Sequence, residues 1–182
     1  MRNLALAFAL LASPALASGI QIEVEGQATG TIVIDLFEDI APLHAERITT
    51  LAAEGAYDGV VFHRVIEDFM AQTGDVEYAK LEGGNMAFAG MGGSTYPDLK
   101  AEFSDVPYER GIVGMARSTS PDSANSQFFI MFTQYPSLNG QYTVVGKVTE
   151  GFDVLDMIKL GKGRNGSVIG APDVMAKVTA IN

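Results

Sequence analysis

The chain has 182 residues, a length that favours one domain, and its content of 47% hydrophobic and 19% charged residues excludes a disordered protein. It contains no cysteine, which excludes a thiol nucleophile and any disulfide bond. Its formal net charge of −10 makes nucleic acid and anionic membrane surfaces poor partners, because phosphate groups attract lysine and arginine.

The N-terminal segment has the pattern of a secretory signal peptide. Arg2 supplies a positive charge, Leu4–Leu11 is an unbroken apolar run, and Ala15–Ala17 is a small-residue cleavage pattern. The apolar run is too short to span a bilayer. We therefore predict a signal peptide over residues 1–17, a mature domain over 18–182, and export without membrane attachment. A bacterial periplasm is the preferred destination, since the chain ends "TAIN" without an endoplasmic reticulum retention signal.

The first half of the mature chain predicts strands around one helix. Ile20–Val24 and Thr31–Leu36 read as a hairpin across intervening glycines. A helix is predicted over about 42–54, because a proline suits its first turn and a glycine its end. A strand follows within 57–66. The Gly-, Ser- and Pro-rich stretch Glu77–Pro107 is predicted to be a long loop.

The second half predicts further strands and a second helix. Strands are expected at 111–116, 126–132, 142–148 and 173–181, and helical spacing is found within 151–163. Most of the strands are separated by turns and not by crossover helices. This arrangement predicts a mainly β protein, with an antiparallel closed sheet or barrel whose ends are covered by helices.

Two common kinds of catalytic site do not fit the sequence. A serine nucleophile needs a histidine base, but only His44 and His63 are present and no G-x-S-x-G motif occurs. Two histidines without cysteine or an H-E-x-x-H motif leave too few ligands for zinc. We therefore expect neither a metal nor a cofactor.

The stretch FHRVIEDFMAQTGD (62–75) places one arginine among apolar residues, where a guanidinium is costly unless it has partners. Strand alternation predicts that Phe62, Arg64 and Ile66 share one face. It predicts the same for Gln127, Phe129 and Met131. Two readings stay open from periodicity alone. Either polar groups converge on an apolar pocket, or Arg64 and Gln127 simply reach solvent.

Longer stretches resemble the cyclophilins, a family of peptidyl-prolyl cis-trans isomerases. YDGVVFHRVIEDFMAQTGD and GIVGMARSTSPDSANSQFFIMF are similar to the two family signatures, and YTVVGKVTEGFDVLDMI to the strand and helix that follow. The resemblance covers nearly all of the mature chain. It implies an eight-stranded antiparallel closed β-barrel capped by two α-helices. It also implies a monomer that needs no cofactor and accelerates X-Pro rotation in proline-containing polypeptides, here exported proteins whose folding it would assist.

Family roles carry over by position. The resemblance implies that Arg64 is catalytic and that Gln72 and Gln127 orient it and hold peptide backbone. It further implies a proline pocket and a surrounding substrate-binding surface. The pocket residues are Phe69, Met70, Phe129 and Leu138, and the further substrate-binding residues are His63, Ala116, Arg117 and Tyr142.

Some positions depart from the family pattern. Arg117 stands where asparagine is common, Ser137 where many members have tryptophan, and Tyr142 where many have histidine. If Phe69, Met70 and Gln72 all line one site, the chain must bulge or twist near Glu67-Asp68. The alternative function is a non-catalytic proline-peptide binding module or holdase chaperone. Retention of Arg64 argues against it, because binding alone needs the pocket more than the charge.

Overall fold

The fold is known from a computed structural model that describes residues 18–182. The predicted signal peptide lies outside the described residues. Two helices are formed, α1 (Pro42–Ala53) and α2 (Phe152–Met157). The strands are β1 (Gly19–Glu25), β2 (Gly30–Leu36), β3 (Val60–Val61), β4 (Arg64–Ile66), β5 (Met70–Thr73), β6 (Ile112–Met115), β7 (Phe128–Met131), β8 (Val144–Glu150) and β9 (Val174–Ile181).

All nine strands belong to one antiparallel sheet, in the order β3-β9-β1-β2-β8-β6-β7-β5-β4. Its two edge strands, β3 and β4, are consecutive in sequence and are separated only by Phe62 and His63. The sheet must therefore curl until its two edges lie close together. The hydroxyl of Thr73 on β5, the neighbour of β4, donates to the Val61 carbonyl on β3 at 3.0 Å and so bridges the gap between the two ends of the sheet.

The prediction of a closed eight-stranded barrel needs correction in two respects. The sheet has nine strands, and within residues 18–182 no ladder pairs β3 with β4. The strand predicted within 57–66 is divided, because the Phe62 amide donates to the Asp173 carbonyl and the His63 carbonyl accepts from the Val168 amide. These bonds take the backbone out of the sheet for two residues. β5 was not predicted as a separate strand.

A filled apolar core occupies the inside of the curled sheet. Alternate residues of β1 and β2, such as Ile20, Ile22, Ile32 and Ile34, are fully buried there. Helix α1 packs Ile48 and other apolar side chains against the same cluster. The interior is therefore packed with side chains and leaves the outer face of the sheet for binding.

A second apolar cluster lies on the outer face of β5, β6, β7 and β8. Strand β7 separates the two clusters, since Phe128 and Ile130 join the interior core and Phe129 and Met131 join the outer cluster. The predicted alternation is confirmed here. It is wrong for Phe62, which is buried in the interior core while Arg64 faces outward, because the chain leaves the sheet between them.

The two helices were predicted with different success. Helix α1 ends within one residue of its prediction. Helix α2 has only six residues, because Ile158 is already extended and the next amide, from Lys159, donates to the Asp173 carboxylate at 2.6 Å. The predicted long loop between Glu77 and Pro107 contains a single short 3₁₀ turn at Met86–Phe88.

Candidate active site

The hairpin of β4 and β5 brings Arg64 and Gln72 together. The chain reverses over Glu67–Phe69, where Asp68 has a positive φ of 54°. The two strands then pair with Arg64 directly opposite Gln72. The expected distortion near Glu67-Asp68 is thus a complete turn, which places Met70 and Gln72 on one face of β5 and Phe69 at the end of the turn.

The Arg64 guanidinium is half-buried and held from two sides. Its Nη1 donates to Oε1 of Gln72 at 3.1 Å, and its Nε donates to the Asn165 carbonyl at 2.9 Å. The sulfur of Met70 lies 3.7 Å from Nη1. Within residues 18–182, Nη2 finds no protein acceptor. The guanidinium therefore has a fixed orientation and one amino group available to a ligand.

Partial burial lowers the pKa of Arg64, and the nearby Tyr142 acts in the opposite direction. A guanidinium stays charged at neutral pH even when its pKa is lowered, because its ordinary pKa is so high. The site thus offers a permanent positive charge in partly desolvated surroundings, where its interaction with a developing negative charge is stronger than in water.

Two glutamine side chains continue the hydrogen bonds away from Arg64. Nε2 of Gln72 donates to Oε1 of Gln127 at 2.9 Å. Nε2 of Gln127 donates in turn to the Gly92 carbonyl at 2.8 Å. Each amide uses its oxygen and its nitrogen in this row, so the orientation of one glutamine fixes that of the next.

An open cavity of about 200 Å³ lies beside the guanidinium on the outer face of the sheet. Aromatic contacts shape its walls. The Phe129 ring meets Tyr142 edge-on at 5.8 Å and stacks on Tyr108 at 5.7 Å. Phe69 packs against Tyr135 at 4.5 Å. The residues that line the cavity are Arg64, Phe69, Met70, Gln72, Ala116, Arg117, Phe129, Leu138 and Tyr142.

A second cavity of about 290 Å³ adjoins the first and shares Gln72, Ala116 and Arg117 with it. Gln127 and residues of the long loop, Gly90–Gly92, form its other wall. The two cavities therefore make one continuous surface depression. Among residues 18–182, two arginines and no carboxylate line it, although the chain as a whole is acidic.

Arg117 and Tyr142, two departures from the family pattern, interact with each other. The Arg117 guanidinium lies 4.4 Å from the centre of the Tyr142 ring, and it donates to the Gln141 carbonyl at 2.8 Å. A cation over an aromatic face is attracted by the ring quadrupole. The pair forms one rim of the first cavity and holds the tyrosine ring in place.

The structure brings together ten of the eleven residues predicted for the site. Every residue lining the first cavity was predicted, and Gln127 lines the second. His63 is the exception, because it lines neither of these two cavities. Its side chain is only 7% exposed and lines a different cavity with Leu81 and Ile169, because the backbone leaves the sheet before Arg64.

The sequence reasoning missed three contributors to the site. Asn165 and Gly92 act through backbone carbonyls, for which no side-chain type is diagnostic. Tyr108 supports Phe129 from a segment bordering the predicted loop. An aromatic residue in a glycine- and proline-rich stretch was the only available signal for it.

The described residues contain neither a metal-binding cluster nor a membrane-spanning helix. No group of three or more His, Asp or Glu side chains in residues 18–182 is arranged to hold a metal ion. Across the same residues, no helix has the length and apolarity needed to cross a membrane.

Comparison with known proteins gives consistent results. Residues 20–180 match the family model for cyclophilin type peptidyl-prolyl cis-trans isomerases. A probable peptidyl-prolyl cis-trans isomerase of Brucella suis is 55% identical over 151 residues, which cover 82% of this chain and 77% of the relative. A peptidyl-prolyl cis-trans isomerase of Arabidopsis thaliana is 39% identical over 136 residues, covering 71% and 77%.

Solved structures agree with these sequence relatives. The crystal structure of a cyclophilin type isomerase from Cryptosporidium parvum superposes with a TM-score of 0.76 at 26% identity, covering 92% of this chain and 99% of the other. The same Cryptosporidium parvum protein has been solved in the presence of the dipeptide Ala-Pro, with a TM-score of 0.75. With the family model spanning almost the whole described chain, this protein belongs to the cyclophilin-type peptidyl-prolyl cis-trans isomerases.

Proposed function

We propose that the outer-face depression binds an X-Pro segment and that Arg64 accelerates rotation about its peptide bond in exported polypeptides, which assists their folding. The observation that carries this proposal is the fixed guanidinium at the rim of an apolar cavity, held by Gln72 and Asn165. The proline ring would occupy the first cavity, against Met70 and Phe129. The Cryptosporidium parvum relative solved with Ala-Pro supports a proline-containing ligand of this kind.

The proposed mechanism needs no bond to break. Rotation about the X-Pro bond has a barrier of about 18–20 kcal/mol because amide resonance is lost, and it takes tens to hundreds of seconds uncatalysed. In the twisted state the proline nitrogen becomes pyramidal and regains a lone pair. Donation from Nη2 of Arg64 toward that nitrogen or the neighbouring carbonyl stabilises the twisted state more than the planar one. A 10⁵-fold acceleration would require about 7 kcal/mol of such differential stabilisation.

The other predicted residues have supporting roles in this proposal. Phe69, Met70, Phe129 and Leu138 hold the proline ring while the preceding carbonyl rotates. Gln72 and Gln127 orient Arg64 and offer polar groups to peptide backbone. Ala116 and Arg117, where the two cavities join, would contact the residues before proline, and Tyr142 closes the ring pocket.

A non-catalytic peptide-binding or holdase function is the second candidate. It would need the cavities but not the orientation of one guanidinium by two acceptors. An isomerisation assay on a short X-Pro peptide separates the two candidates. We expect the rate of cis-trans exchange to rise in proportion to protein concentration. Saturable peptide binding with no change in the exchange rate would favour the holdase.

We further propose that the protein is exported to the periplasm after cleavage near Ala17. In the structure the Ser18 amide nitrogen donates to the Glu38 carboxylate. Burial raises the pKa of Glu38, but hydrogen bonds from Ser18 and from its own backbone outweigh this and lower the pKa overall. Cleavage after Ala17 would turn the same nitrogen into an ammonium group beside a carboxylate, a more favourable pair.

Mass spectrometry of the protein from a periplasmic fraction tests this proposal. We expect Met1–Ala17 to be missing and the chain to begin near Ser18. An intact Met1 on soluble protein from the cytoplasm would contradict it. We also propose a monomer, for which light scattering in solution should give a mass close to that of residues 18–182.

A further inference from the structure

We infer that Asp75 is a positioning residue for the isomerisation, acting on Arg64 through Gly92, Gln127 and Gln72. The inference rests on the proposed role of Arg64. Asp75 lies two residues beyond the end of β5 and has 0% of its surface exposed. A buried carboxylate is costly unless hydrogen bonds satisfy its oxygens. Its partners therefore explain why it is there.

Four backbone amides donate to the Asp75 carboxylate. Oδ1 accepts from Glu77 at 3.1 Å and from Tyr78 at 2.8 Å. Oδ2 accepts from Gly90 at 2.7 Å and from Gly92 at 3.1 Å. The first pair lies close to Asp75 in sequence, and the second lies near the middle of the long loop. One side chain thus fastens the loop segment Gly90–Gly92 to the end of β5.

The segment Gly90–Gly92 carries the carbonyl at which a series of side-chain hydrogen bonds from Arg64 ends. The Gly92 carbonyl accepts from Gln127, Gln127 accepts from Gln72, and Gln72 accepts from Arg64, at 2.8, 2.9 and 3.1 Å. Because each glutamine amide uses both of its ends, the Gly92 carbonyl decides which way both amides point. Moving that carbonyl would free Gln127 to rotate and would remove the fixed acceptor of Arg64.

The packing around Gly92 leaves no space for an added side-chain atom. A Cβ atom at position 92 would lie 2.5 Å from Oδ1 of Asp75 and 2.7 Å from Cβ of Glu77. The glycine therefore lies directly against the carboxylate. A methyl group there would push the segment away while Asp75 itself stayed unchanged. Gly92→Ala therefore perturbs the hydrogen bonds of Gln127 and Gln72 without altering the Asp75 carboxylate.

Asp173 provides a matched control. Its carboxylate is 1% exposed and accepts from two backbone amides, those of Ala28 at 2.8 Å and Lys159 at 2.6 Å. Its carboxylate fastens the start of β9 to distant segments in the same way, but neither of these two side-chain hydrogen bonds leads to the Gly92, Gln127 and Gln72 contacts of Arg64. Asp173→Asn should lower stability as Asp75→Asn does, while leaving isomerisation unchanged.

The test is a double-mutant cycle on the exported, mature-length protein. Values of kcat and KM for a short X-Pro peptide would be measured for Asp75→Asn, Gln127→Ala and the double variant. Low temperature keeps the uncatalysed reaction slow, and circular dichroism checks that each variant is folded. At pH 8, His63, whose pKa burial lowers to about 4, is neutral and does not change charge when Asp75 is replaced.

We expect Asp75→Asn to lower kcat about tenfold with KM changed less than twofold, because the proline cavity itself is not touched. In the Gln127→Ala background the same substitution should change kcat less than twofold. Asp173→Asn should have no effect on kcat in either background. If Asp75→Asn does not fold, Gly92→Ala takes its place in the cycle with the same expectation.

An equal loss in both backgrounds, or a loss carried by KM alone, would overturn the positioning role. So would wild-type kcat in Asp75→Asn. These outcomes are separate from failure of the proposed function, which would show as absence of isomerase activity in the wild-type protein before any substitution is made.

Discussion

Arg64 and Gln72 lie opposite each other on β4 and β5, and Nη1 of Arg64 donates to Oε1 of Gln72 at 3.1 Å. The strand register therefore sets the position of the charge. A hydrogen bond to a charged group contributes more than one between neutral groups. Among residues 18–182, loss of the Gln72 bond leaves the Asn165 carbonyl as the one oxygen acceptor of the guanidinium.

Replacing Gln72 should weaken catalysis without removing it. Gln72→Ala leaves Arg64 held by the Asn165 carbonyl and free to rotate about that bond. We expect kcat/KM to fall about tenfold, ~1.4 kcal/mol of transition-state stabilisation. Gln72→Glu keeps an acceptor for Arg64 and should recover part of the loss. Equal activity of the wild type and Gln72→Ala in an isomerisation assay would exclude an orienting role.

The hydrogen bond from Nε of Arg64 to the Asn165 carbonyl can be tested by replacing the next residue, Gly166. Gly166 has φ 69°, and a Cβ there would lie 2.3 Å from Cγ1 of Ile66. Gly166→Ala should shift the Asn165 carbonyl away from Nε of Arg64 and lower kcat/KM about tenfold. It should also cost at least the ~1–2 kcal/mol typical of a non-glycine residue in this conformation.

Gly59→Ala is the control for that substitution. Gly59 has φ 76°, but no heavy atom of the described part of the chain, leaving out its two sequence neighbours, lies within 4 Å of its added Cβ. It should show the conformational cost in thermal unfolding and keep its kcat/KM. If both glycine variants lose activity equally, general destabilisation and not the Asn165 contact is responsible.

Acid should destabilise the protein through His63. Burial lowers its pKa from 6.5 to about 4, and although Asp75 raises it and Arg64 lowers it, burial is the largest effect. The unfolded chain then binds more protons than the folded one between these values, so stability falls as the pH falls below about 6.5. At pH 5 the contribution is about 2 kcal/mol.

Urea unfolding of wild type and His63→Gln at pH 7 and pH 5 measures this contribution. The wild type should lose about 2 kcal/mol more than the variant on acidification. Burial also lowers the pKa of His44, but this effect is the same in both proteins and cancels in the comparison. Because His63 does not line the first cavity, kcat/KM at pH 7 should stay within about threefold of wild type. An equal loss of stability on acidification in both proteins would show that a group other than His63 causes the pH dependence.

Cyclosporin, a cyclic peptide that many cyclophilins bind, should inhibit this protein weakly. The family tryptophan in that contact is matched by Ser137, which is exposed in the short turn before Leu138. Losing about 80 Å² of apolar contact at about 25 cal/mol per Å² costs about 2 kcal/mol. A lost hydrogen bond adds about 1 kcal/mol, for a total of about two orders of magnitude in affinity.

Ser137→Trp should therefore tighten inhibition while changing turnover little, because the proline ring would rest on other residues. Inhibition curves for both proteins measure the difference. Nanomolar inhibition of the natural sequence, or no gain in the variant, would show that the contact argument at 137 is mistaken.

The sequence predicted the facing of side chains within regular strands better than it predicted the course of the backbone. Strand alternation placed Gln127, Phe129 and Met131 on one face, because a regular strand has a strict period of two. The same rule failed for Phe62, since the backbone bonds that remove 62–63 from the sheet involve residues about a hundred positions away.

The site follows the same division. Side-chain identity and family resemblance located the lining of the first cavity, because pocket chemistry depends on residue type. The contributions of Asn165 and Gly92 were not predictable, since any residue has a carbonyl and only the tertiary fold decides where it points. The family resemblance placed His63 in the substrate-binding set, but its ring lines a different cavity because the backbone leaves the sheet before Arg64.

The charge of Arg64 is the centre of the proposed mechanism, and its replacement is the most direct test. Isomerisation of a short X-Pro peptide would be measured for wild type, Arg64→Ala and Arg64→Lys, with circular dichroism confirming that each is folded. We expect Arg64→Ala to lower kcat/KM about a hundredfold or more, ~2.7 kcal/mol, and Arg64→Lys not to restore it fully, because an ammonium cannot reproduce the planar fork. Wild-type kcat/KM in a folded Arg64→Ala variant would contradict the mechanism.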